Sequence, residues 1–160
     1  MYTLLVEWNK VEESGMFYGE YLHTLDKKSR LIIPSRFRDP IKEMCIEKLY
    51  LTRGLDECLF MFSESEWRTQ ENRFKAMPFT KKDTRIFQRQ FFGGAVEVVP
   101  DKQWRILIPD YLKEYAKLSR NIMVIGISNR IEIWSKDKWE GFYRSSKQEY
   151  EEIAERLIEF

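Results

Sequence analysis

The chain has 160 residues, 43% of them hydrophobic and 33% charged, which suits a packed globular fold and is too apolar for a disordered one. Lys and Arg number 27 against 26 Asp and Glu, for a net charge of +1, which taken as an average excludes a strongly basic nucleic-acid binder. The charge is uneven, however: residues 20–42 carry +3 and residues 80–120 carry +4, while the flanking and intervening blocks each carry −2.

The first 15 residues have neither a basic leader nor a long apolar stretch, so they are read as an N-terminal extension rather than a secretory signal. From Phe17 to Leu25 the pattern alternates as a strand. Tyr21, His23 and Leu25 share one face, where a lone histidine is structural. Asp26 to Ser29 supply polar turn chemistry, and Arg30 to Ile33 return as a second strand. Pro34 suits the first turn of a short helix reaching Lys42. Strands at Leu49–Arg53 and Glu57–Phe62 turn at Gly54 to Asp56, and Ser63 with Glu66 forms a capping box opening the helix that carries Trp67. A helical connector over about 80–93 is opened by a second capping box, Thr80 with Asp83, and stopped by Gly93–Gly94 through positive φ. Strands near 95–99 and 105–108, a helix from Pro109, strands at 121–127 and 130–134, and a last helix opened by Ser135 complete the chain. That helix carries Trp139, Phe142, Tyr143, Tyr150, Ile153, Leu157 and Ile158 as a packing face.

The order of elements repeats, and so do the residues. An offset of 75 places Asp26, Lys27, Arg30, Ile33 and Pro34 on Asp101, Lys102, Arg105, Ile108 and Pro109; an offset of 72 then places Gly54, Ser63 and Trp67 on Gly126, Ser135 and Trp139. Residues 16–160 therefore read as a single domain made of two repeats, about 16–77 and 94–160. Neither repeat has enough strands to close a core, so the two interdigitate with the helices outside, an α+β fold.

The duplicated Asp-x-x-x-Arg is the main functional clue. It can simply pin the hairpin, Asp26 pairing with Arg30 and Asp101 with Arg105. Alternatively, each aspartate orients a guanidinium whose remaining donors face outward to phosphate oxygens or a guanine edge. Lys27, Lys28 and Lys102 add phosphate attraction, and both basic islands contain one such hairpin, which favours a polyanion partner. The remaining chemistry is sparse. One histidine and two cysteines, Cys45 and Cys58, do not make a zinc spacing and are read as a structural His and reduced core thiols. No nucleophile elbow or phosphate-binding glycine loop is present, and no apolar run is long enough to span a bilayer, so neither enzyme, cofactor, metal nor membrane is expected.

Met16-Phe17-Tyr18-Gly19-Glu20-Tyr21, the paired Asp-x-x-x-Arg motifs followed by Ile-Pro, Thr52-Arg53-Gly54-Leu55-Asp56, Phe91-Phe92-Gly93-Gly94-Ala95 and Asn129-Arg130-Ile131-Glu132-Ile133-Trp134 together resemble the MraZ family, over Met16 to about Tyr143. The resemblance implies an AbrB-like double-split, swapped-hairpin β-barrel with peripheral helices. It also implies a cytoplasmic, nucleoid-associated transcription regulator that assembles into a homo-oligomeric ring. Such a regulator binds direct repeats in the promoter DNA of its own division and cell wall operon. On matching positions, Arg30 and Arg105 with Lys27, Lys28 and Lys102 are the DNA-contacting residues, supported by Asp26 and Asp101. One departure stands out: the family's glycine before the motif arginine is replaced by Ser29 and by Trp104. Trp104 leaves three readings, a second hairpin that approaches DNA less closely, a ring stacked on sugar, or a contact with a neighbouring subunit. The alternative from another class is a non-catalytic, ring-forming structural or interaction module whose aromatic surfaces meet the partner.

Overall fold

The computed structural model of the chain describes residues 16–158; the expected extension over residues 1–15 lies outside them. The first repeat contributes β1 (Phe17–Thr24), β2 (Arg30–Ile32), α1 (Ser35–Glu43), β3 (Leu49–Arg53), β4 (Leu59–Ser63), α2 (Glu64–Lys75) and α3 (Lys82–Phe91). The second contributes β5 (Val96–Val98), β6 (Arg105–Leu107), α4 (Asp110–Tyr115), β7 (Asn121–Ser128), β8 (Ile131–Ser135), α5 (Lys136–Ser146) and α6 (Tyr150–Leu157).

The fold is α+β, and its strand pairing is antiparallel throughout the described residues. A six-stranded sheet has the order β1-β7-β8-β4-β3-β5, and β2 pairs with β6 in a two-stranded ribbon. Exchanging the repeats maps this order onto its own reverse, because β1 and β5, β3 and β7, and β4 and β8 are equivalent strands. The repeats are therefore interleaved: β1 lies on β7, β5 on β3, β2 on β6 and β8 on β4. Cross-connections obey the same exchange, with the Ile33 amide donating to the Trp104 carbonyl (2.8 Å) and the Ile108 amide to the Ser29 carbonyl (2.9 Å). Alternation decides which residues enter the core. Leu31 and Ile33 in one repeat and Ile106 and Ile108 in the other are buried with Phe17, Phe37, Leu51, Met61, Leu112 and Ile133. At Gly126 the backbones of β7 and β1 approach so closely that a Cβ would collide with Phe17 and Tyr18, which explains why the longest strand pair contains a glycine.

The helices differ from expectation in instructive places. Ser63 and Ser135 cap α2 and α5, each accepting a backbone N–H three residues on, from Glu66 and Lys138 at 3.3 Å. The Thr80–Asp83 box does not form. Lys81 stands at the cap without a side-chain bond, and Arg85 instead ties the entry loop by donating to the Phe79 and Thr80 carbonyls (3.1 and 2.9 Å). Gly93 and Gly94 follow α3, but not through positive φ; they are needed for space, since a Cβ on Gly93 would strike the Arg89 carbonyl and one on Gly94 would meet Arg53 and the Gln90 carbonyl. The fourth strand begins at Leu59 rather than Glu57, because Asp56 (φ 61°) and Glu57 (φ 57°) both turn through the left-handed region. Ser135 to Ile158 is not one helix. It breaks between α5, which ends at Ser146, and α6, which starts at Tyr150. Cys58 is a buried thiol as expected, whereas Cys45 is exposed at the end of α1 with φ 52°.

Two aromatic clusters sit outside the main core. Trp67 of α2 stacks between Tyr50 and Phe91 with ring centroids 5.2 and 5.4 Å away, and Phe87 stacks on Phe91, so α3 closes over the first repeat's face of the sheet. On the second repeat Trp134 and Trp139 meet at 5.3 Å, with Phe142 beside them.

Candidate nucleic-acid interface

Both Asp-x-x-x-Arg turns are built alike, bond for bond. In the first, Asp26 Oδ1 accepts the backbone N–H of Lys28 and of Arg30 (both 2.9 Å), Asp26 Oδ2 accepts Arg30 Nε (2.7 Å), and the Ser29 amide donates to the Asp26 carbonyl (3.0 Å). In the second, Asp101 Oδ1 accepts Gln103 and Arg105 N–H (both 2.9 Å), Oδ2 accepts Arg105 Nε (2.7 Å), and the Trp104 amide donates to the Asp101 carbonyl (2.9 Å). A carboxylate receiving two backbone donors and a guanidinium is held in its charged form. The Arg30 backbone N–H, then the Arg30 side chain and the Lys28 N–H, lower the Asp26 pKa, and Arg105 and Gln103 do the same for Asp101. Pinning the turn therefore uses only Nε of each arginine. Among the described residues the terminal amino groups of Arg30 and Arg105 donate to no other protein group, and their fork is fixed in direction by the bond behind it.

The two turns meet on one ribbon. Arg30 pairs with Leu107 and Ile32 with Arg105, so these four residues share the outer face of β2–β6 while Leu31 and Ile106 point into the core. The two arginines occupy diagonal positions, about 7–8 Å apart by strand geometry. Ile32 and Leu107 lie exposed between them. Lys27, Lys28 and Lys102 are exposed on the turns themselves. A two-stranded ribbon is of a size that enters the major groove, and apolar side chains beside arginine are suited to thymine methyl groups.

Several neighbours of the turns were not evident in the sequence. Lys113 of α4 donates to the Ser29 hydroxyl (2.7 Å), and with Lys27, Thr24, Leu118 and the exposed Arg120 it lines an open cleft of about 550 Å³ beside the first turn. Lys42 of α1 sits 5.4 Å from the centroid of the Trp104 ring. Each hairpin is thus braced by the helix that follows the other hairpin. Lys113 and Arg120 belong to the second basic island, whose excess charge was visible, but only the crossing of the repeats carries them to the first turn. Ile32 and Leu107 could have been assigned outward from strict alternation with Leu31 and Ile106.

Ser29 and Trp104 both adopt φ 62°, the left-handed conformation a glycine would take without strain. Trp104 therefore leaves the backbone of the second turn unchanged, and its half-buried ring packs against the central core rather than standing outward from the ribbon. His23 is half-buried on β1, and burial lowers its pKa. Cys58 donates to the Leu55 carbonyl (3.1 Å), and burial pushes its thiol far up. Among the described residues no group of three or more His, Cys, Asp or Glu is placed to hold a metal ion, and no helix is long and apolar enough to cross a membrane.

Fold and ribbon together define an internally duplicated α+β protein whose interleaved repeats present a matched pair of Asp–Arg turns. The chain belongs to the MraZ family. The family model described as "MraZ protein, putative antitoxin-like" matches it twice, over residues 16–90 and 91–160. The protein named "Transcriptional regulator MraZ" from Carboxydothermus hydrogenoformans is 47% identical over 145 residues, covering 91% of this chain and 99% of that protein.

Proposed function

We propose that the chain is a sequence-specific DNA-binding transcription regulator that reads promoter direct repeats with the β2–β6 ribbon, acting as a homo-oligomeric ring on its own division and cell wall operon. In this reading residues 16–160 act as one unit, a double-split barrel in which each repeat donates a hairpin. Arg30 and Arg105 contact base edges or phosphates, Lys27, Lys28 and Lys102 contact phosphates, and Asp26 and Asp101 aim the arginines. The observation that carries the proposal is the identity of the two turns: both arginines, half-buried on the outer face of one ribbon, are fixed through Nε, and among the described residues their terminal amino groups donate to no other protein group. The relative's name, a transcriptional regulator, agrees with this reading.

The net charge of +1 makes a single subunit a weak binder. Several subunits on one assembly, each presenting its ribbon to a repeat, raise affinity through effective concentration without new contacts. The deciding experiment is a titration of a fragment of the chain's own promoter at several salt concentrations. A well-made arginine–base contact is worth about 1–3 kcal/mol. Arg30→Ala with Arg105→Ala is expected to weaken binding at least tenfold and to flatten the salt slope. Equal affinity and an equal slope for parent and variant would remove the ribbon from the interface. The interaction-module alternative predicts salt-insensitive association and no promoter preference.

A further inference from the structure

The cleft beside the first turn gathers cations that the described part of the subunit does not neutralise. Its wall includes Lys27 of the turn, Lys113 of α4 and Arg120 of the loop joining α4 to β7. One acid shares the wall, Asp26, and its carboxylate is already occupied by the Lys28 and Arg30 backbone N–H groups and by Arg30 Nε. Among the described residues Lys27, Lys113 and Arg120 stand in no ion pair. Lys113 donates to the Ser29 hydroxyl, which leaves two of its three donors unused. Like charges gathered around an open cleft raise its potential, and an anion entering it relieves their repulsion.

The other repeat shows that this charge is not a by-product of the duplicated scaffold. There the loop joining α1 to β3 takes the corresponding place in the order of elements, and it carries Glu47 and Lys48. Lys48 is neutralised, with Nζ 3.7 Å from Glu64 and 3.5 Å from Glu97. Lys117, in the same loop as Arg120, is likewise paired, lying 3.3 Å from Glu57. Only the cations that line the cleft lack an acid. One half of the scaffold thus has a compensated loop, and the other has uncompensated cations beside its partner's turn.

We propose that this cleft is a site for a phosphate of the DNA backbone, in which Lys27, Lys113 and Arg120 hold a phosphodiester beside the turn that carries Arg30. The inference rests on the proposed function and deepens it: the first arm of the ribbon is anchored as well as aimed, and the second is aimed only. Cations on a phosphate carry no base identity, so the cleft contributes affinity and position along the strand, not sequence preference. Lys113 reaches both the cleft and the Ser29 hydroxyl, which ties the anchor to the residue preceding Arg30.

Lys113→Gln with Arg120→Gln in the full chain tests it, and Arg120→Gln alone, at an exposed side chain, serves if the pair lowers Tm. Each is titrated with a fragment of the chain's own promoter and with an unrelated duplex of equal length, from about 50 to 200 mM salt. Each phosphate contact contributes about 0.9 to the log–log salt slope, so the slope is expected to fall by about two for each subunit bound, or about one for the single variant. Affinity for both duplexes is expected to fall by the same factor, at least about tenfold for the pair at low salt, leaving the promoter preference intact. Lys113→Arg with Arg120→Lys is expected to keep the parent slope. So is Lys75→Gln with Lys147→Gln, which removes the same charge from exposed positions outside the cleft. A parent slope in the cleft variants, an equal loss in the Lys75 and Lys147 control, or a loss that the charge-retaining exchange shares would each overturn the proposal. Inorganic phosphate, added to the free protein at constant ionic strength and followed by the Lys27 and Ser29 amide shifts, probes the other source of this chemistry. Saturable shifts together with an unchanged DNA slope in the variants would mark a site for free phosphate and overturn the backbone assignment. If the cleft variants keep the parent slope while Arg30→Ala with Arg105→Ala binds weakly, the cleft is wrong and the ribbon reading stands. If the cleft variants lose slope while the arginine variant binds like the parent, the backbone contact stands and the ribbon reading fails.

Discussion

Trp104 offers the sharpest test of how the ribbon is built, because replacing it with glycine changes two energies of opposite sign. A left-handed backbone at a non-glycine residue costs about 1–2 kcal/mol, and Trp104→Gly removes that cost at φ 62°. Against this stands the packing of the ring on the central core. Tryptophan buries 150–250 Å² when fully enclosed. A half-buried ring removes about 120 Å² from water, worth about 3 kcal/mol at 25 cal/mol per Å², and somewhat less once the compactness of the unfolded chain is counted. Loss of the Lys42 contact, 5.4 Å from the ring centroid, adds about 0.5 kcal/mol. The net is a destabilisation of about 1–2 kcal/mol, or a fall in Tm of about 2–8 °C for a chain of this size. Ser29→Gly at the equivalent position relieves the same strain and loses only the bond from Lys113, so its stability is expected to stay within about 1 kcal/mol of the parent. Urea unfolding of both variants, with promoter binding measured in parallel, separates the possibilities. If Trp104→Gly is as stable as the parent and its DNA affinity falls, the ring acts outward and the packing argument is refuted.

The aspartates make a pH prediction of definite sign. Their folded pKa values lie below the ordinary carboxylate value, so the stability they contribute is fully present above that value and is lost as pH falls through the folded ones. Carboxyl carbon shifts of Asp26 and Asp101 are expected to titrate below the ordinary aspartate value; titration at or above it would mean the turns are open in solution. Asp26→Asn with Asp101→Asn is expected to weaken promoter binding although both arginines remain, because an amide nitrogen facing Nε cannot hold the guanidinium. Cys45 is expected to label rapidly with a thiol reagent at neutral pH, while Cys58, buried and with its thiol pKa pushed up, labels only on unfolding, and two equivalents in the native protein would contradict that placement. Phe91→Ala, which removes the ring stacked on Trp67, is expected to cost about 3–5 kcal/mol by urea unfolding; a cost below about 1 kcal/mol would show that α3 does not close the sheet.

Much of this molecule was legible because its determinants are local or repeated. The strand at Leu49–Arg53, the serine caps at Ser63 and Ser135, and both Asp–Arg turns rest on residues within a few positions of one another, and duplication doubled each signal. The misreadings have a common cause. Thr80 and Asp83 have the right spacing for a box, but Arg85 offers the entry loop competing bonds; Gly93 and Gly94 follow a helix as expected, but the carbonyls of Arg89 and Gln90 set the requirement. Likewise the bracing of Ser29 by Lys113 joins residues 84 positions apart. Nothing short of the crossing of the strands reveals it.

That crossing has a consequence for the ribbon. Two identical chains pairing their hairpins would be bound to keep both turns the same, with any change made twice. Here both halves lie in one chain, and the equivalent turn positions have separated chemically. At Ser29 the left-handed residue is small and held by a hydroxyl bond to α4; at Trp104 it is large and held by core packing and a cation from α1. The backbone bonds around Asp26 and Asp101 nevertheless agree to within a tenth of an ångström. The position of each guanidinium is therefore set by the aspartate and the turn, and the residue before the arginine is free to serve the support behind it. Lys28 and Gln103 differ in charge at the neighbouring position, so under the proposed function the two arms of one ribbon would meet a polyanion with unequal strength while their arginines keep equal geometry. An asymmetric ribbon of this kind has a direction along the duplex.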